Sequence, residues 1–510
     1  MNWSPWVSCL LSAAFQAACS SAPAVQVLGE STRLERDRPS PSISALFDGQ
    51  QVHLRGARGE TLGLQVRIAD GLQRSVHLQL PEQAAIVSGF SVANLQVEEP
   101  SSGMYGVSEG PGAYPDPLTP HSGALRTSDL AYYDVTVSQS AKPGSYLGQL
   151  QIEDRQIPVL LDVSPARIDL ERDPLVWVFY LPKEIARVHG LPDRDGPKLL
   201  ALEEAYHQLF RQHGALLAAD LGPDRFEVRR HLMKDVQYWP VGIDDTNDQT
   251  ITRDVQRWLE LFKGSAVTPF AIPIDEPQTA ADKQRAAHIA QVIARAGGGR
   301  PRLLCGVTDV ASPIYGNTMD VYLSPGNFPR IAHERESTGE HFWTYNGRPP
   351  SAGSMILDTD GTALRTWGWI AERYGVELWY AWEGLYFSDR YNRGGATDVM
   401  TDPVTFDERR RGGADWGNSD GVLAYPGPKP SLRLKALRRG LQDRLLLRQL
   451  AACGGQRTAT RIVRQAVPRA LGEAQGEISW SLQESGWEKA RQEVLDAIEI
   501  ECRNDTELAR

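Results

Sequence analysis

The sequence predicts a multidomain protein with an N-terminal β-sandwich of immunoglobulin-like type, a central (β/α)8 barrel and a C-terminal helical segment. The chain has 510 residues, and domains of about 100–200 residues each make three the expected number. Short runs of alternating polar and apolar residues fill the first third, whereas apolar strands alternate with helical stretches in the centre. Hydrophobic residues make up 41% and charged residues 23%, a globular composition that excludes a disordered chain.

Residues 1–24 predict an export signal. The apolar run from Val7 to Ala18 leads directly into Cys19, and this pattern resembles a bacterial lipoprotein signal in which that cysteine is lipidated. Cleavage after Ala24 is the alternative, since no Lys or Arg precedes the run. Both predict an exported protein, in the cell envelope, the periplasm or outside the cell. No internal apolar run reaches the ~18 residues that span a bilayer, so the lipid anchor is the only membrane contact expected.

Residues 25–168 predict the sandwich. Polar and apolar residues alternate in 51–55, 62–68, 132–137 and 148–152, and turn residues separate these runs. Pro143-Gly144 forms a turn before Tyr146, which resembles a hairpin of immunoglobulin-like accessory modules. The stretch 101–123 is rich in Gly, Pro and Ser and is predicted to be a long loop.

Residues 169–430 predict the barrel, because eight β units in about 260 residues are the size of a (β/α)8 domain. A doubly wound sheet is the alternative, but no Gly-rich phosphate loop follows the first strand, as a nucleotide-binding fold of that type would require. Helices are predicted at 196–213, 251–262, 280–296 and 363–374. The predicted strands are 175–180, 215–219, 236–241, 268–274, 302–307, 319–323, 341–345 and 376–382.

Residues 431–510 predict three helices, near 432–446, 459–471 and 484–500, which we interpret as a small packing domain without chemistry. Cys453 and Cys502 lie in this segment, and the sequence leaves open whether they pair. Cysteine and histidine spacing fits no zinc motif, so no metal site is predicted. The net charge of −10 argues against nucleic acid as the main partner.

Two adjacent carboxylates, Asp275 and Glu276, follow the predicted fourth barrel strand. Catalytic groups of such barrels lie at the carboxyl ends of the strands, so both are candidate catalytic residues. The alternative is that Asp275 caps the helix that begins near Thr279 and that Glu276 is merely exposed.

Further candidates lie near the last two predicted strands. In 341–345 the rings of Trp343 and Tyr345 face the same side because side chains alternate along a strand. They are candidate substrate-binding residues, and an aromatic core strand is the alternative. The other candidate substrate-binding residues are Asp358, Arg365, Trp382 and Glu383, of which Glu383 ends the last strand and is a third candidate acid.

The order of these motifs resembles glycoside hydrolase family 123 and its relatives. The motifs are Asp275-Glu276-Pro277, Trp343-Thr344-Tyr345, Asp358 with Arg365, Asn418-Ser419-Asp420-Gly421 and Pro430-Ser431-Leu432-Arg433-Leu434. The resemblance implies a retaining β-N-acetylgalactosaminidase in which the 2-acetamido group of the sugar acts as the nucleophile and forms an oxazoline. It implies that Asp275 polarises the acetamido group, that Glu276 is the general acid and later the base, and that no cofactor is needed.

Two departures from the family pattern put the substrate in question, Glu383 in place of a small residue and Thr344 within the aromatic motif. Two rival functions follow. A two-carboxylate retaining glycosidase would use Glu276 as acid/base and a nucleophile such as Glu383 about 5 Å away. A glycan-binding lipoprotein without activity would keep only the aromatic rings. In each case the partner is a glycan or glycoconjugate.

Overall fold

The computed structural model describes residues 25–34, 44–68, 71–297, 302–328, 339–387, 397–409 and 412–502. The predicted export signal and Cys19 lie outside the described residues. The protein is multidomain, with two facing sheets at the N-terminus, a nearly closed barrel of eight parallel strands and helices at the C-terminus.

The N-terminal part consists of two five-stranded sheets that share one apolar core, and we call it the two-sheet region. Pairing is antiparallel except between the strands Val52–Arg58 and Arg155–Arg167. The predicted alternation is seen in β3, where Leu62, Leu64 and Val66 are buried in that core. One sheet contains, in spatial order, Val25–Gly29 (β1), Thr61–Ile68 (β3), Leu130–Val137 (β8), Ala85–Val97 (β5) and Gly112–His121 (β6). The other contains Val52–Arg58 (β2), Arg155–Arg167 (β10), Gly144–Ile152 (β9), Arg74–Gln79 (β4) and Leu125–Thr127 (β7).

The prediction of a long loop at 101–123 is wrong for the second half of that stretch. Gly112–His121 is strand β6, which pairs antiparallel with β5, although it contains Pro115, Pro117 and Pro120. Because β6 lies at the edge of its sheet, a proline there can place its nitrogen, which has no hydrogen to donate, on the side away from the partner strand. The true loop is the shorter segment between Val97 and Gly112.

The eight predicted barrel strands are all present and all parallel. Each pairs with the next along the chain, the first also pairs with the last, and the described residues leave a single gap, between β12 and β13. This order excludes the doubly wound alternative. The strands are Val176–Phe179 (β11), Ala215–Ala218 (β12), Tyr238–Pro240 (β13), Thr268–Ala271 (β14), Leu304–Val307 (β15), Val321–Leu323 (β16), His341–Tyr345 (β17) and Trp379–Ala381 (β18).

Helices surround the barrel close to the predicted positions. Gly368 and Gly440 allow two of them, Thr366–Tyr374 and Leu432–Leu450, to touch, since a Cβ atom on Gly440 would lie 2.1 Å from the carbonyl oxygen of Arg365. The helices are Pro182–Val188 (α1), Pro197–Gln212 (α2), Pro223–Phe226 (α3), Asp248–Leu261 (α4), Ala280–Gly297 (α5), Thr366–Tyr374 (α6), Leu432–Leu450 (α7), Gln456–Ala466 (α8) and Glu484–Glu501 (α9). Two short hairpins, formed by Val404–Asp407 (β19) with Trp416–Asn418 (β20) and by Ala424–Tyr425 (β21) with Lys429–Pro430 (β22), precede α7.

Helix α7 is not part of a separate packing domain. It is buried along nearly its whole length, because it packs between the barrel helix α6, the two-sheet region and α9. A group of buried ion pairs, which we call the ion cluster, joins these parts. It consists of Glu60, Arg365, Arg439, Asp443, Glu488 and Arg491.

Cys453 and Cys502 form a disulfide that links the end of α7 to the end of α9. The remaining described cysteine, Cys305, is free and buried in strand β15. Among the described helices, none combines the length and the apolar character that crossing a bilayer requires.

Candidate active site

Asp275 and Glu276 lie just beyond the carboxyl end of β14, and both side chains are exposed. Thr308, which follows the neighbouring strand β15, holds them together. Its hydroxyl donates a hydrogen bond to Asp275 Oδ1 (2.7 Å) and accepts one from the Glu276 backbone N–H (2.5 Å). One buried threonine therefore fixes the relative positions of the two carboxylates.

Glu276 adopts a left-handed backbone conformation with a φ of 44°, which is uncommon for a residue other than glycine. Its Oε1 accepts a hydrogen bond of 3.0 Å from the Tyr345 hydroxyl. Burial, followed by the charge of Glu276, raises the pKa of Tyr345, so Tyr345 stays a proton donor at neutral pH. Strained backbone held by surrounding contacts is frequent at functional sites.

Asp275 does not cap the helix that follows. The Thr279 hydroxyl accepts a hydrogen bond from the Asp282 N–H (3.1 Å), and the Asp282 carboxylate accepts one from the Thr279 N–H (3.0 Å). Because Thr279 supplies the cap of α5, Asp275 is available for another role.

Tyr380, on the last strand, lies within electrostatic reach of four carboxylates. Burial raises the pKa of its hydroxyl, and the charges of Asp275, Glu383, Asp220 and Glu276 raise it further. The barrel mouth thus gathers four carboxylates, contributed by the ends of β12, β14 and β18, around a tyrosine that remains a hydrogen-bond donor.

Asp220 follows β12 and is the carboxylate that our sequence analysis missed. Burial, and then the charge of Asp275, raises its pKa to about 6. The side chain still reaches solvent. Asp220 directly follows the predicted second strand. A position after a strand end is the signal that identified Asp275, so the same signal could have identified Asp220.

Glu383 and Trp382 differ in accessibility although they are neighbours. Glu383 is only 1% exposed and packs against the backbone of Gly421. Trp382 is half-buried, with its ring against Tyr386 and Phe406. Of the two, only the Trp382 ring offers a surface to a ligand in this conformation.

Trp343, Asp358 and Arg365 are fully buried, so core packing and buried hydrogen bonds take the place of the predicted substrate contacts. Trp343 packs inside the barrel against Tyr238 and Phe270, with ring centroids 4.9 Å apart in both pairs. Arg365 belongs to the ion cluster, where its Nε lies 2.8 Å from Asp443 Oδ2. Asp358 receives hydrogen bonds from Ser101 and Ser108 of the two-sheet region.

Tyr105 and Asp420 also lie near the acids. Asp420 is buried, and burial raises its pKa to about 7. Burial, Asp420 and then Glu276 raise the pKa of Tyr105. Asp420 is part of a motif noted in the sequence, whereas no sequence signal marks Tyr105, since it lies in a loop that is distant in the chain.

A cavity of about 1270 Å³ lies elsewhere, between the two-sheet region and the helices α2 and α7. Neither Asp275 nor Glu276 lines it. Within the part of the chain that the structure describes, no three His, Cys, Asp or Glu side chains are grouped so that they could hold a metal ion.

The fold is shared with a family 123 glycoside hydrolase from Clostridium perfringens, whose structural analysis concerned glycolipid glycan hydrolysis. The TM-score is 0.67 and the identity 12%, over 96% of this chain and 99% of the other. A family 2 glycosyl hydrolase from Bacteroides cellulosilyticus matches with a TM-score of 0.28 and 10% identity over 70% of this chain and 46% of the other. An FMN-binding β-glucuronidase from Facaelibacterium prausnitzii matches with a TM-score of 0.29 and 8% identity over 83% of this chain and 61% of the other. No family model and no curated protein matches the sequence. The resemblance seen in the sequence is thus confirmed as a common fold over almost the whole chain.

Proposed function

We propose that this protein is a retaining glycoside hydrolase that cleaves β-linked N-acetylhexosaminides by substrate-assisted catalysis. The observation that carries the proposal is the pair Asp275 and Glu276, exposed side by side at the barrel mouth and fixed by Thr308. Adjacent carboxylates held in this way can address neighbouring atoms of one sugar ring. The fold shared with a family 123 glycoside hydrolase supports the same assignment.

In the first step Glu276 donates its proton to the glycosidic oxygen, and the bond between that oxygen and C1 breaks. The carbonyl oxygen of the 2-acetamido group forms a new bond to C1, which gives an oxazolinium ion. Asp275 accepts a hydrogen bond from the acetamido N–H, and its charge stabilises the cation as it develops. In the second step the Glu276 carboxylate takes a proton from water, the water oxygen attacks C1, and the oxazolinium ring opens with the β configuration retained.

Glu383 does not suit the two-carboxylate alternative. A nucleophile must reach C1 of the bound sugar about 5 Å from the acid/base, but Glu383 is only 1% exposed. Asp220, which reaches solvent and interacts with Asp275, is the carboxylate that this second mechanism would require.

The substrate class that we propose is a galacto-configured N-acetylhexosaminide on a glycoconjugate, by analogy with the glycolipid glycan of the Clostridium perfringens enzyme. The half-buried rings of Tyr345, Tyr380 and Trp382 would contact the sugar. We also propose that the two-sheet region is of the immunoglobulin-like type.

We further propose that the protein is exported and anchored through Cys19. The disulfide between Cys453 and Cys502 supports export, because disulfides persist mainly in oxidising compartments. Cys19→Ser should move the protein from the membrane fraction to the soluble fraction. If wild type is already soluble, the anchor is wrong and cleavage after Ala24 is the better interpretation.

The test of the reaction uses wild-type protein and two aryl β-galactosides, one with a 2-acetamido group and one with a 2-hydroxyl group. The acetamido substrate should be cleaved and the hydroxy substrate should be nearly inert, since it brings no nucleophile. Comparable rates would reject substrate assistance and make Asp220 the nucleophile to test. No cleavage of either substrate, nor of gluco-configured counterparts, would leave glycan binding as the better explanation.

A further inference from the structure

A loop of the two-sheet region is fixed onto the barrel mouth. Ser101 donates two hydrogen bonds to Asp358, from N–H (2.8 Å) and Oγ (2.6 Å), and Ser108 Oγ donates a third (2.5 Å). The Ser102 N–H donates to the Trp416 carbonyl (2.9 Å). Because Asp358 is fully buried, these contacts fasten the loop between Val97 and Gly112 at both of its ends.

The fastened loop carries Tyr105 toward the acids. Tyr105 ends the short 3-10 turn Gly103–Tyr105 and is half-buried, so part of its ring faces solvent. Burial, and then the charges of Asp420 and of the candidate general acid Glu276, raise the pKa of its hydroxyl, so the hydroxyl lies within electrostatic reach of both carboxylates. The adjacent Gly106 packs so closely on Pro349 that a Cβ atom there would lie 2.9 Å from the proline ring. The loop therefore has little freedom to carry Tyr105 away.

Asp420 lies behind Tyr105 and is 1% exposed. Within the described part of the chain, neither of its carboxylate oxygens has a hydrogen-bond partner. Burial raises the pKa of this carboxyl group, and the Tyr105 hydroxyl opposes that rise. A buried carboxyl group with so little compensation is costly. Carboxyl groups whose pKa is perturbed by burial cluster at functional sites.

We propose that Tyr105 is a substrate-binding residue of the barrel site, contributed by the two-sheet region, and that Asp420 is its positioning residue. The ligand group is a hydroxyl of the pyranose that lies against Asp275 and Glu276, so the inference rests on the proposed function. With the sugar bound, the Tyr105 hydroxyl donates a hydrogen bond to the Asp420 carboxylate, and the Tyr105 oxygen accepts a hydrogen bond from that sugar hydroxyl. The two-sheet region is then part of the catalytic unit and not an accessory module.

The test compares Tyr105→Phe with the control Tyr146→Phe, using the aryl 2-acetamido-β-galactoside as probe. Tyr146 is a tyrosine of the same region whose hydroxyl donates to the Lys142 carbonyl, far along the chain from the docked loop. Loss of one neutral hydrogen bond should raise KM about ten-fold in Tyr105→Phe, with kcat within about three-fold of wild type. The control should keep the wild-type KM and kcat.

Two measurements separate this inference from a structural role and from the function itself. Asp420→Asn should raise KM as well, and the double variant with Tyr105→Phe should be no worse than Tyr105→Phe alone, since the two residues act as one unit. Wild-type KM in Tyr105→Phe, with or without a lower melting temperature, would overturn the inference alone. If wild type neither cleaves the probe nor binds free N-acetylgalactosamine in calorimetry, the proposed function falls and the inference falls with it.

Discussion

The barrel mouth and the ion cluster both concentrate charged side chains, but they combine them in opposite ways. In the ion cluster, buried carboxylates face arginines, as in the 2.7 Å pair of Arg491 with Glu60. The pKa of Glu60 lies below its usual range although burial opposes this, because Arg491 and Arg439 outweigh the burial. At the mouth, carboxylates face tyrosines and one another, and the pKa of Asp220 is raised to about 6.

The difference separates charges that hold the fold together from charges that are free to do chemistry. Opposite charges satisfy each other and leave nothing for a ligand, whereas like charges brought together cost stability and are kept where a proton or a ligand must be handled. Arg365 lies in the sequence motif of the site but belongs by its contacts to the ion cluster. Proximity in a motif is therefore a weaker guide to function than the charge of the neighbours.

The largest effect is expected at the mouth. Glu276→Gln keeps size and shape but removes the proton donor, so kcat should fall by roughly 10²–10⁴-fold on substrates with poor leaving groups. An activated aryl leaving group needs less protonation and should be affected less. The control is Glu260→Gln on the exposed face of α4, which should keep wild-type kinetics. Small and equal losses on both kinds of substrate would remove Glu276 from the mechanism.

Substitutions in the ion cluster should lower the unfolding free energy of the protein without changing its reaction. Arg365→Met leaves the buried Asp443 and Glu488 without one of their cations, and breaking such a pair costs about 3–5 kcal/mol of unfolding free energy. Arg257→Met, which removes one partner of an exposed pair with Asp224, should leave the unfolding free energy nearly unchanged, because water screens exposed ion pairs. Denaturant unfolding measures both. A specific rise in KM for Arg365→Met without lost stability would return Arg365 to the substrate site.

Asp420 combines features of both regions. It is buried like the residues of the ion cluster, and its pKa is raised like that of Asp220 at the barrel mouth. Burial, as the main cause, raises its pKa to about 7. As far as this group is concerned, the folded protein is therefore most stable at low pH, where Asp420 is protonated, and it loses stability as the pH rises toward 7 and the buried group ionises. Asp420→Asn cannot ionise and should be relatively more stable than wild type at pH 8 than at pH 5, by no more than about 3 kcal/mol. Chemical unfolding of both proteins at the two pH values gives the difference. A constant difference would show that Asp420 does not ionise in this range.

The barrel could be predicted from the sequence because its strands are apolar runs that alternate with helical periods, and even the short β13 and β16 lie inside their predicted ranges. The candidate catalytic pair, Asp275 and Glu276, followed from the same pattern, since the end of a strand fixes where the next residues lie. The strand β6 was missed because three prolines conceal an edge strand whose pairing needs only one side.

The rest of the site depends on contacts between distant parts of the chain. Tyr105 and Asp420 are 315 residues apart in the numbering, and only the docking of the loop on Asp358 brings them together. Trp343 and Arg365 show the reverse case. Their residue types suit sugar binding, but whether a ring or a guanidinium reaches the surface is decided by packing around them, which local pattern does not encode.

The central claim is that Asp275 and Glu276 act together on one N-acetylated sugar. The most direct measurement is the inhibition constant of a thiazoline mimic of the cyclised sugar relative to that of free N-acetylgalactosamine, in wild type and in Asp275→Asn. Because the mimic resembles the intermediate, it should bind wild type at least about 10²-fold more tightly than the free sugar, and Asp275→Asn should lose most of that advantage. If the mimic and the free sugar bind wild type equally well, the two carboxylates do not stabilise an oxazoline, and the account is wrong at its centre.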